Sequence, residues 1–134
     1  MKTKLEKIII VGTIISFLLT SMLTLSSCSS EDATLEKCID SDKELAQEIE
    51  MYCVPGMEMD VDGNTLTYTY KYEQTFDDDI AGLMTKELKN AMPSMNENFE
   101  VIKDHLVKKT EISDILIKVV YTDGNDSILY ETEY

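Results

Sequence analysis

The sequence predicts an α+β fold: an N-terminal helix, a hairpin, a long helix and a second hairpin, giving a four-stranded antiparallel sheet packed on helices. Two observations carry this. Residues 57–72 and 115–134 each alternate apolar and polar side chains about a turn-forming segment, the period of a half-buried strand. Between them apolar residues recur at threes and fours for about seven turns, the period of one helix face.

At the start of the chain, Lys2, Lys4 and Lys7 precede an uncharged run from Ile8 to Leu25, the layout of a secretory signal. A helix of that run would span ~27 Å at ~1.5 Å per residue, so its length alone would also suit an uncleaved membrane helix. The end of the run separates the two. Leu25-Ser26-Ser27-Cys28 resembles the lipobox of bacterial lipoproteins: an aliphatic residue, two small residues and the cysteine that is acylated. By that resemblance the signal, residues 1–27, is cut between Ser27 and Cys28, and Cys28 becomes the lipidated N-terminus. Several acyl chains at ~0.8 kcal/mol per buried CH₂ make a stable anchor, where one would be marginal. The expected location is the extracytoplasmic face of a bacterial cell membrane.

Loss of 27 residues from 134 leaves 107, the size of one domain. The leader holds three of the 12 basic residues and one of the 26 acids, so the remainder keeps 9 and 25, a net charge of −16. All nine are Lys. Nucleic acid and anionic headgroups would be repelled by such a surface and are excluded as ligands of the folded part.

Residues 28–40, led by Ser29, Ser30, Glu31 and Asp32, read as a lipidated N-terminus and polar tether to a single domain at 41–134. Ser41-Asp42-Lys43-Glu44 has capping-box spacing, which predicts a first helix from Asp42 to Tyr52 with Leu45, Ile49 and Tyr52 or Cys53 inward. Pro55-Gly56 ends it. In the first hairpin, a Gly63-Asn64 turn sets Val61 opposite Leu66, Met59 opposite Tyr68 and Met57 opposite Tyr70, all on one face. Thr75 and Asp77 to Asp79 open the long helix, whose stripe is Ile80, Leu83, Met84, Leu88, Ala91, Met92, Met95, Phe99, Ile102 and Leu106. Pro93 interrupts it without shifting the phase, which predicts a kink or two helices meeting there. In the second hairpin a four-residue turn, Asp123-Gly124-Asn125-Asp126, would place Val119 opposite Tyr130, Ile117 opposite Thr132 and Lys118 opposite Glu131.

"GNTLTYTYKYEQTF", then a long helix, then "EISDILIKVVYTDGNDSILYETEY" resembles a family of short Firmicutes surface lipoproteins known only as a domain of unknown function. The resemblance covers most of residues 35–134. It implies a Gram-positive, often gut-associated, surface lipoprotein and brings no functional residues with it. Cys38 and Cys53 are not part of its pattern.

The chemical inventory is thin. His105 is the only histidine, sits one place off the helix stripe and reads as a surface residue; no Ser has a His and carboxylate at activating spacing. Asp60, Asp62 and Asn64, like Asp123, Asn125 and Asp126, resemble calcium-loop spacing, but both lack the bidentate Glu that follows, and hairpin turns select the same residues. The acids at Asp77 to Asp79 suit a helix start, which repels cations. No zinc spacing and no phosphate loop occurs, so neither a cofactor nor a metal is expected.

The function read from these features is a lipid-anchored surface lipoprotein whose small non-catalytic domain binds or scaffolds an unidentified envelope protein. The alternative is an envelope-located regulatory or inhibitory module acting on a partner protein, by fold analogy alone. One partner patch is a candidate. On the sheet's second face Val120 and Leu129 would oppose each other with Leu116 two places along, an apolar group on a polar surface. The opposing expectation is that the first helix, through Leu45 and Ile49, covers them. Cys38 and Cys53 flank that helix, and a straight helix of eleven residues would hold them ~16 Å apart, beyond the ~7 Å a disulfide allows.

Overall fold

The computed structural model describes residues 32–134. Thr34 opens the first helix, α1 (Leu35–Ser41), with its hydroxyl accepting from the Lys37 amide. Asp42 then stands extended, at φ −114°, between α1 and α2 (Lys43–Glu50). Its amide donates to the Cys38 carbonyl behind, and its carboxylate accepts from the Glu44 and Leu45 amides ahead. The single helix expected from a Ser41 cap is therefore two, and residues 35–40, read as tether, are helical together with Ser41. Ser41 is the last residue of α1 and donates its hydroxyl to the Lys37 and Cys38 carbonyls. A charged carboxylate suits a helix N-terminus better than a hydroxyl, so Asp42 takes the cap. Leu35 and Cys38 are buried, which anchors α1 to the core.

The first hairpin follows its predicted register. Strands β1 (Met57–Asp62) and β2 (Thr65–Lys71) pair Met57 with Tyr70, Met59 with Tyr68 and Val61 with Leu66. Gly63, at φ 58°, supplies the positive angle that a two-residue hairpin turn needs. The turn also serves α1: the Leu35 amide donates to Asn64 Oδ1 and the Glu36 amide to the Gly63 carbonyl, satisfying amides that a helix start leaves orphaned.

At Pro93 the long helix is two. The Asp77 carboxylate accepts from the Ile80 amide and caps α3 (Asp78–Ala91); a 3₁₀ turn over Met92–Met95 leads into α4 (Asn96–Thr110). Leu88, Met92, Met95, Phe99, Ile102 and Leu106 form one buried stripe through the break. Its first turns fall outside the core: Ile80 is 39% and Leu83 62% exposed.

Strands β3 (Leu116–Thr122) and β4 (Ile128–Glu133) complete a sheet of order β1-β2-β3-β4. The sheet is mixed, not antiparallel as expected, because β2 and β3 run parallel with Tyr68 beside Val119. A helical connection of more than a dozen residues can return the chain to the end where β2 began, and the Leu116 amide donates there to the Asn64 carbonyl. Leu66, Tyr68, Tyr72, Ile117, Val119 and Tyr121 share one parity and one apolar cluster with residues from all four helices. Thr65, Thr67, Thr69, Lys118 and Glu131, on the opposite face, are half-buried or exposed.

The second hairpin departs from its predicted register by two residues. Val119 pairs with Thr132, Lys118 with Glu133 and Tyr121 with Tyr130, with a bulge at Tyr121/Thr122. The loop is longer than predicted because Asp123 closes it onto Ser127: its amide donates to the Ser127 carbonyl, and its Oδ1 accepts from the Asn125 and Ser127 amides. A slip of two keeps every other side chain on its predicted face. Lys118 still reaches Glu131 diagonally, at 3.1 Å.

Candidate functional site

Ser27 and Cys28, the predicted cleavage and lipidation residues, lie outside the described residues. The predicted partner patch is described, and it is not an exposed group. Leu116 is half-buried, while Val120 and Leu129 are 7% and 6% exposed. Val120 lies opposite Glu131 rather than Leu129. Leu129 occupies the bulge and joins the apolar cluster, which excludes Val120. The bulge thus separates residues that an unbroken ladder would have joined. Covering by the first helix is also not the arrangement seen at the Leu129 backbone, where the Thr85 hydroxyl of α3 donates to the carbonyl at 2.7 Å.

A concave site forms instead where the parallel strands end. The Tyr72 amide donates to the Thr122 carbonyl, extending the β2–β3 ladder, and the Gly124 amide donates to the Gln74 carbonyl. These bonds draw the second hairpin's loop against the segment after β2. A Cβ on Gly124 would stand 2.9 Å from the Glu73 carbonyl oxygen, so the close approach requires glycine. Gly56, Met57, Glu58, Lys71, Tyr72, Glu73 and Gly124 line an open groove of about 440 Å³. Lys71 Nζ lies 2.5 Å from Asp126 Oδ1, and that hydrogen bond holds the ammonium pKa above its ordinary value. Burial pushes the neighbouring Tyr72 phenol up to about 12. The buried Asp123 carboxyl is held below the usual carboxylate range, first by the Ser127 amide and also by those of Asn125 and Phe76. The groove presents carboxylates from Glu58 and Glu73 and the Lys71 ammonium already paired with Asp126.

Residues 32–134 match the family described as Domain of unknown function (DUF4854). The chain belongs to this family. No curated protein and no solved structure matches it. Within the DUF4854 domain, sequence reading missed the second charged constellation. Glu48 of α2 receives His105 of α4 at one oxygen, Nε2 to Oε1 2.7 Å, and Lys109 at the other. His105 is 28% and Lys109 10% exposed at the side chain, so the histidine read as a surface residue is half-buried and clamps α2 to α4. Its spacing of four from Lys109 was the available signal, since i and i+4 share a helix face. The DUF4854 domain holds no group of three or more His, Cys, Asp or Glu able to bind a metal among the described residues. Neither Cys38 nor Cys53 is in a disulfide. The straight helix invoked to separate them is broken at Asp42. Burial, and then Glu50, push the Cys53 pKa up, opposite to the shift that activates a thiol nucleophile.

Proposed function

We propose that the chain is a lipid-anchored lipoprotein on the extracytoplasmic face of a bacterial cell membrane, with a small domain that binds or scaffolds an envelope protein without catalysing a reaction. The observation that carries it is Leu25-Ser26-Ser27-Cys28 at the end of the uncharged run. The family match begins at residue 32, four residues after Cys28, so cleavage before Cys28 would leave the domain whole beside its anchor. The reading assigns membrane attachment to acyl chains on Cys28; no helix among the described residues is long and apolar enough to cross a membrane. Support for a non-catalytic role comes from His105, whose Nε2 lies 2.7 Å from Glu48 Oε1, and from the raised Cys53 pKa.

Cys28→Ser tests the anchor. Cells fed a clickable fatty-acid analogue should label the wild-type chain and leave the variant unlabelled and released from the membrane fraction. Label persisting on the variant would contradict the proposal.

A further inference from the structure

The sheet has two edges, and they are treated differently. At the β4 edge the pair Ile117–Tyr134 exchanges both of its hydrogen bonds, so alternation turns the Leu129 carbonyl outward, and Thr85 occupies it. The bulge beside it further blunts that edge. At the β1 edge the Lys71 amide donates to the Gly56 carbonyl, so the ladder bonds to β2 fall on residues 56, 58, 60 and 62. The amides and carbonyls of Met59 and Val61 therefore point away from the sheet. Neither residue has a hydrogen-bond partner on that side among the described residues; Met57 gives its amide to Val54. Helix α1 packs against β1, and its hydrogen bonds to the hairpin fall at Gly63 and Asn64, leaving the Met59 and Val61 backbone groups without a bond to it. No proline, lysine or bulge protects the strand. Its side chains alternate in burial, with Met57, Met59 and Val61 half-buried and Glu58, Asp60 and Asp62 exposed in a row.

We propose that the β1 edge receives an extended basic segment of an envelope partner, added as a fifth strand, with Lys or Arg side chains beside Glu58, Asp60 and Asp62 and apolar ones beside Met57, Met59 and Val61. Main-chain bonds to Met59 and Val61 supply the attachment and the carboxylate row supplies the selection. A second copy of this chain is the wrong occupant. Pairing β1 with itself in antiparallel register would set carboxylates directly opposite one another, which is destabilising, whereas opposite charges across a strand pair stabilise. The proposal rests on the binding role given above and names the surface and the partner's chemistry.

The test uses the full-length acylated chain in detergent micelles and two capped eight-residue peptides, one alternating Lys and Val, the other with the same residues in two blocks. The alternating peptide should bind more tightly and slow hydrogen exchange of the Met59 and Val61 amides by about tenfold or more. Glu58→Lys with Asp60→Lys should weaken it by about tenfold, and Asp60→Asn, the gentler change should the double variant misfold, by a smaller factor. Equal affinity for the two peptides, no binding, or protection elsewhere on the sheet would overturn the proposal. So would concentration-dependent self-association that protects Met59 and Val61 without peptide. Fatty-acid label is read on the same preparations: label retained with no peptide binding removes the edge alone, and an unlabelled wild-type chain removes the anchor alone.

Discussion

The two hairpins are built from similar alternating sequence and closed by different means. The first turns on Gly63 and Asn64, and its pairing is what the alternation of Met57, Met59 and Val61 against Leu66, Tyr68 and Tyr70 dictates. The second turns on a loop gathered around one buried carboxylate, and its register lies two residues from the alternation reading, with Leu129 in the bulge. Side-chain period fixes which face a residue occupies, because a slip of one would empty the core. It does not distinguish registers two apart, and there the loop's backbone bonds decide.

The largest contrast should come from the two residues once paired in the predicted patch. Leu129→Ala removes a core side chain and should cost about 2–4 kcal/mol. Val120→Thr keeps the side-chain shape outside the apolar cluster but puts a hydroxyl at a buried position, and should cost less, about 1–2 kcal/mol. Urea denaturation of both variants checks this; equal losses would place both residues in one environment.

Two glycines sharpen it next. Gly124→Ala drives a Cβ into the Glu73 backbone and should cost about 2–3 kcal/mol. Gly63→Ala meets nothing within 4 Å but sits at φ 58°, so its cost should be the left-handed penalty of about 1–2 kcal/mol. Gly63→Asn should recover much of that loss, since Asn tolerates this region, and Gly124→Asn should recover none. Melting temperatures of the four variants test the two mechanisms separately.

The Asp123 carboxylate gives the smallest effect at neutral pH, and it depends on pH. Because its folded pKa is lowered, it contributes stability that is fully present above the ordinary Asp value of about 3.9 and lost as pH falls through the folded value. Asp123→Asn keeps an acceptor oxygen but has no such titration. The variant should therefore be less stable than wild type at pH 5–7, with the gap closing below about pH 4; a gap unchanged to pH 2 would show that the carboxylate's charge plays no part.

Much of the fold was legible because it follows from periods and caps: the first hairpin, the Asp77 helix start, and the stripe from Leu88 to Leu106 through Pro93. The parallel join of β2 and β3 was not, since strand direction depends on where a long connection returns and no side chain encodes it. Nor was α1: its residues carry a weak period, and its amides are satisfied by Gly63 and Asn64, distant in sequence. The charged clamp of Glu48, His105 and Lys109 needed the same tertiary meeting of α2 and α4. For the candidate site, the proposed lipobox at Leu25–Cys28 is a local pattern open to direct reading, whereas the groove and the open edge exist only once four strands are ordered.

Intact-mass analysis of the wild-type chain extracted from bacterial membranes tests the functional reading most directly. The predicted result is a chain of 107 residues beginning at Cys28, heavier than its sequence by a diacylglyceryl group, with the added mass confined to its N-terminal peptide. A chain that retains residues 1–27, or one that begins elsewhere with Cys28 unmodified, would contradict it.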